Sequence, residues 1–88
     1  MGEARRLVGW NLRRIRVRSG YTIEALAGAA DVDDSHLARI ERGTVNSSLD
    51  ILERLALALG VKLGELFRPH RPGAKAPKPL RSGRRPKL

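Results

Sequence analysis

The sequence has no cysteine, a single methionine, and one each of tryptophan, tyrosine and phenylalanine. Without cysteine there is no disulfide and no thiolate metal site, so a fold this small must rest on its own core, with or without a partner subunit. Aromatic scarcity means that the core is aliphatic. No apolar run approaches the roughly 20 residues needed to cross a bilayer, and the N-terminus lacks a signal peptide's apolar segment. No membrane association is expected, and these features fit the reducing cytoplasm. His36 and His70 stand far apart with no spaced carboxylates or cysteines beside them, and there is no glycine-rich phosphate loop. We therefore expect no enzyme, no cofactor, no metal site and no small-molecule ligand.

Acidic residues are also few, 9 against 18 basic ones, for a net charge of +9, and they are unevenly placed. Residues 1–18 hold six arginines against Glu3 alone, residues 19–67 hold four basic residues against eight acidic ones, and residues 68–88 hold eight basic residues and no acid. Basic ends thus flank an acidic middle, a pattern suited to a polyanion. Residues 68–88 also carry all five prolines, so they are expected to be a disordered basic, proline-rich tail after a single domain over 1–67.

Within that domain, a helix over about Arg5–Ser19 places Val8, Leu12 and Ile15 inward and leaves Arg13 and Arg14 facing solvent or phosphate. Gly20 stops it. Trp10 lies off the apolar stripe and reads as a lid on the core edge or a partner contact, and Tyr21 has the position of a hydrophobic staple. Thr22 caps an alanine-rich second helix whose N-terminal amides are suited to a phosphate. Asp31-Val32-Asp33 forms a turn. A third helix begins at Asp33, turns Leu37 and Ile40 inward, and leaves Asp34, Ser35, Ala38, Arg39 and Arg42 on its other faces until Gly43. Ser47 or Ser48 caps a fourth helix with Leu49, Leu52, Leu55, Ala56 and Leu59 on a broad apolar face. Val61 to Phe67 reads as a last short helix, too apolar to be buried alone.

The runs Thr22-Ile-Glu-Ala-Leu-Ala, Val32-Asp-Asp-Ser-His-Leu-Ala-Arg-Ile-Glu-Arg-Gly43, Ser48-Leu and Leu55-Ala-Leu-Ala-Leu-Gly-Val61, in this register, resemble the Cro and phage-repressor (Xre-type) helix-turn-helix family. The resemblance covers roughly Val8 to Phe67. It implies an all-α fold, a compact five-helix domain, and a DNA-binding transcriptional regulator that reads duplex DNA with its third helix in the major groove.

By that resemblance, Asp34, Ser35, Ala38 and Arg39 face the bases. Arg39 suits guanine, Ser35 several base edges, Ala38 a thymine methyl and Asp34 the cytosine amino group. The positions expected along the DNA backbone are Arg13, Arg14, Thr22, Ile23, Arg42, Thr44 and Asn46, although Ile23 replaces the family's frequent glutamine. The resemblance also implies a structural salt bridge between Arg16 and Glu41, and a homodimer meeting through Val61, Leu63, Leu66 and Phe67. Two other functions are compatible with the residues: a protein-interaction module such as an antitoxin scaffold, and a sequence-nonspecific nucleic-acid binder acting through the tail.

Overall fold

A computed structural model describes residues 2–70 of the chain. Four helices, α1 (Glu3–Arg18), α2 (Ile23–Ala30), α3 (Asp34–Arg42) and α4 (Leu49–Leu59), are followed by one 3-10 turn over Leu63–Phe67. The fifth element is thus a tight turn rather than an α-helix. Lys62 stands at its cap position and makes no side-chain capping bond there. The disorder expected of the tail falls on residues outside the described ones, apart from 68–70, which pack against α1.

Each interior helix start is fixed by the side chain before it. The Thr22 hydroxyl accepts from Ala25 N at 3.1 Å, the Asp33 carboxylate from His36 N at 3.1 Å, and the Ser48 hydroxyl from Ile51 N at 3.1 Å. Helix ends are equally local. Asp31 terminates α2 in the left-handed conformation (φ 56°, ψ 52°), which aspartate tolerates better than most residues, while Gly43 does the same for α3 at φ 73°.

Five leucines, one from each element, have no exposed surface: Leu12, Leu26, Leu37, Leu55 and Leu66. Burying each is worth about 1.5–3 kcal/mol, so the terminal turn is part of the core. Val8, Ile15, Ala27, Ala30, Ile40, Leu52 and Ala56 surround them. Leu66 therefore has no surface to give to a second subunit, and this corrects its assignment to a dimer interface. Val61 to Phe67 holds more apolar residues than a short segment buries alone, and α1 and α4 supply the cover for Leu66.

Three contacts fix α1 to the rest. Gly9 is buried against the end of α3, where a Cβ would stand 2.6 Å from the Glu41 carbonyl oxygen. Arg16 donates to Glu41 through Nε (2.5 Å) and Nη2 (3.0 Å) and to the Tyr21 carbonyl through Nη1 (2.9 Å). Asn11, 1% exposed, donates to the carbonyls of Leu66 (3.0 Å) and Arg68 (2.7 Å).

Candidate nucleic-acid interface

The third helix turns two faces in different directions. Leu37 and Ile40 are buried, while Asp34, Ser35, Arg39 and Arg42 are exposed and Ala38 is half-buried between them. With Asp33 occupied as the cap, the N-terminal turn offers one acceptor (Asp34) and one hydroxyl (Ser35), and the next turn offers a methyl (Ala38) and a guanidinium (Arg39). This small mixed set of donor, acceptor and apolar groups stands on a helix whose back is locked into the core.

The loop after α3 is tied to that helix at both ends. Thr44 N and Thr44 Oγ1 both bond to the Arg39 carbonyl oxygen, at 3.1 and 3.2 Å, and the His36 ring lies 3.3 Å from Ser47 Oγ. His36 is thereby a brace between the start of α3 and the far end of the loop. Both donors of Thr44 are used in closing α3, so Thr44 has none left for a phosphate. Asn46 is exposed beside it.

The remaining residues expected on a DNA backbone fall in different places. Thr22 is 4% exposed with its hydroxyl engaged as a helix cap, so its side chain does not reach the surface. Ile23 is half-buried against the core, and what it offers a phosphate is the backbone N–H at the first position of α2. Arg13 and Arg14 part company. At about 100° per residue, Arg13 lies only some 40° around α1 from Gly9 and so borders α3, whereas Arg14 is about 140° away, toward the terminal turn.

The partners of these two arginines reflect that division. Arg14 donates to Asn11 Oδ1 at 3.3 Å and sits 5.6 Å from the centre of the Trp10 ring. Burial, followed by the nearby Arg18 charge, lowers its pKa; Glu65 opposes this and Arg68 adds to it. Arg13 Nε is buried with no hydrogen-bond partner.

The apolar residues expected to meet a second subunit are also divided. Val61 and Leu63 are half-buried against the monomer core, whereas Phe67 is 41% exposed. Phe67 lines a depression of about 170 Å³ together with Ala4, Val8, Val45 and Leu49, and Leu49 is itself 65% exposed. Sequence spacing gave no sign of this pairing, because Leu49 falls on the apolar face of α4 by periodicity alone.

Asn11 and Gly9 were not singled out in the sequence either. A lone asparagine at a boundary position and a glycine inside a helical run carry no pattern, although a mid-helix glycine signals close approach of another backbone. Among the described residues no cluster of three histidines or carboxylates is placed to hold a metal ion, and no helix is long and apolar enough to cross a membrane.

A family model described as Helix-turn-helix matches residues 12–66. The HTH-type transcriptional regulator SlrR of Bacillus subtilis (strain 168) is 40% identical over 62 residues, which are 69% of this chain and 41% of that protein. This chain thus spans less than half of that relative's length.

Two solved structures are similar in shape as well as sequence. One is the restriction-modification controller protein C.AhdI from Aeromonas hydrophila, with a TM-score of 0.70 and 36% identity, covering 72% of this chain and 96% of that one. The other is SinR, a master regulator for biofilm formation in complex with DNA, with a TM-score of 0.67 and 32% identity over 69% of this chain and 98% of that one. With its capped α2–turn–α3 unit inside the matched segment, the chain belongs to the helix-turn-helix family of Cro and phage-repressor type.

Proposed function

We propose that this chain is a sequence-specific transcriptional regulator that binds duplex DNA as a homodimer, in the cytoplasm, with α3 in the major groove. The observation that carries the reading is the outer face of α3. Asp34, Ser35 and Arg39 are exposed on a helix immobilised from behind by Gly9, by the Arg16–Glu41 pair and by the braced loop. A base-reading surface needs such rigidity, because hydrogen bonds to base edges tolerate little misplacement. The likeness to SinR, whose structure was solved with DNA, supports the same docking.

In this reading Ser35 and Arg39 contribute most to base selection, with Ala38 against a methyl and Asp34 accepting from cytosine. Arg13, Arg42, Asn46 and the Ile23 amide meet the backbone and set the register. The dimer forms around Phe67 and the adjoining Leu49, with Val61 and Leu63 at its margin. A twofold dimer places its two α3 helices on half-sites about one turn of DNA apart.

Selection from random duplex DNA tests this. Enrichment of a sequence with two related half-sites supports the reading. Recovery of unrelated sequences that are bound equally well, through the basic tail alone, contradicts it.

A further inference from the structure

His36 is the third residue of α3, directly after the exposed Asp34 and Ser35. Its backbone N–H is held by the Asp33 carboxylate at 3.1 Å, and its ring is half-buried with Nε2 3.3 Å from Ser47 Oγ in the loop. Arg13 Nε is the one buried side-chain nitrogen or oxygen without a hydrogen-bond partner among the described residues. The second ring nitrogen of His36, Nδ1, makes no hydrogen bond and is therefore open to solvent.

A hydroxyl at Nε2 governs what Nδ1 can do. When Ser47 donates to Nε2, the proton of the neutral ring is on Nδ1; when the ring is charged, both nitrogens donate and Ser47 accepts. In both states Nδ1 presents an N–H to solvent. An acceptor arriving there selects these two states over the remaining tautomer, and an anionic acceptor selects the charged one.

The surroundings supply a reason for that charge. The loop residues 44–48 bring no ionisable side chain of their own, and His36 is the ionisable side chain hydrogen-bonded to them among the described residues. The charged groups near it along the chain are Asp33 and Asp34 at the start of α3, Arg39 one turn on, and Asp50 in the first turn of α4. A helix entering the major groove by its N-terminal end carries Asp33 and Asp34 toward the phosphates, which they repel. A proton on His36 offsets that repulsion where it arises.

We infer that His36, held by Ser47, contacts a backbone phosphate through Nδ1 and takes up a proton as the duplex binds. The phosphate is one that the loop after α3 meets, and Ser47 is the positioning residue. The contact adds to those of Arg13, Arg42, Asn46 and the Ile23 amide, and unlike theirs it depends on pH. The inference rests on the DNA-binding reading above. Because the bound state holds the extra proton, affinity rises as pH falls through the range of about 8 to 5 in which histidine changes charge.

Binding of the full chain to a selected and a scrambled duplex, at about pH 7.5 and about pH 5.5 and over a series of salt concentrations, tests this. Affinity for the selected duplex should be several-fold higher at the lower pH, with a salt slope steeper by about one unit per protomer. His36→Gln, which cannot ionise, should lose this gain; Ser47→Ala should reduce it, and His70→Gln should keep it. Should the variant at residue 36 fold poorly, NMR titration of the two histidine rings in the unsubstituted chain decides the matter: on binding, the midpoint of His36 should move up and that of His70 should stay. An equal gain in the parent and in either His36→Gln or Ser47→Ala, or an unmoved His36 midpoint, overturns the inference. Equal binding of selected and scrambled duplexes at both pH values defeats the DNA-reading proposal, whereas a preference for the selected duplex without the pH-dependent gain defeats only the His36 contact.

Discussion

Gly9 of α1 and Glu41 of α3 touch backbone to backbone, and a single methyl group at residue 9 would stand 2.6 Å from the Glu41 carbonyl oxygen. The obstacle is main chain on both sides and cannot swing away. Since Glu41 also receives Arg16, the same turn of α3 is held by close approach and by charge. The placement of the proposed reading face depends on this turn.

Gly9→Ala should destabilise the domain by about 1–3 kcal/mol, overpacking outweighing the ~1 kcal/mol that alanine gains over glycine in a helix. Gly28→Ala is the matched control: Gly28 is exposed in α2 with nothing within 4 Å of an added Cβ. There the propensity term stands alone, and stability should rise by about 0.5–1 kcal/mol. Thermal melts of the two variants should therefore move in opposite directions, by about 4–8 °C per kcal/mol for a domain of this size.

Glu41→Ala leaves the Arg16 guanidinium, 3% exposed, with the Tyr21 carbonyl but without its counter-charge. Stranding a buried charge costs about 3–5 kcal/mol. Replacing both residues with apolar ones of similar size should cost less than the single change. Urea titration of the single and double variants measures the difference, and equal losses would show that the pair does not act as a unit.

The helix boundaries and the apolar stripes were legible from capping residues and periodicity, because Thr22, Asp33, Ser48 and Gly43 act over one turn of chain. What escaped depends on tertiary contacts that no local pattern encodes. Leu66 looked surplus until α1 and α4 closed over it, Asn11 became meaningful only when residues 66 and 68 came beside it, and Thr44 lost its donors to a carbonyl five residues back. The exposed face of α3 was readable from spacing. The side of α1 that Arg14 occupies was not, because the sequence did not reveal which flank would receive the terminal turn. Arg16 and Glu41 lie 25 residues apart, and only the family resemblance joined them in advance.

Asn11→Leu removes three hydrogen bonds, two donated to the chain and one accepted from Arg14, and leaves the Leu66 carbonyl buried without its donor. A loss of about 1–3 kcal/mol is expected. Because Trp10 is the sole tryptophan and stacks on His70, its fluorescence reports the same event. The emission of Asn11→Leu should shift toward that of a chain ending at Phe67, which lacks both Arg68 and His70. An unchanged spectrum would show that the stack holds the segment without Asn11.

Arg39→Ala should lower affinity for the selected duplex and relax base preference at one position per half-site by about 1–3 kcal/mol, and Ser35→Ala should do the same at a neighbouring position by less. Arg42→Ala should weaken all duplexes alike and reduce the salt slope by about one unit. A base-by-base substitution series distinguishes the two behaviours.

The central claim is that the helical domain reads sequence. Its most direct test is the ratio of affinities for a selected duplex and a scrambled one at about 0.15 M salt, near physiological ionic strength. It should be measured for the full chain and for a chain ending at His70, which keeps the residues held by Asn11 and Trp10. The account predicts a ratio of about 10³ or more for both, with weaker absolute binding and a shallower salt slope for the shorter chain. A ratio near unity in the full chain, or one that collapses when residues 71–88 are removed, would contradict it.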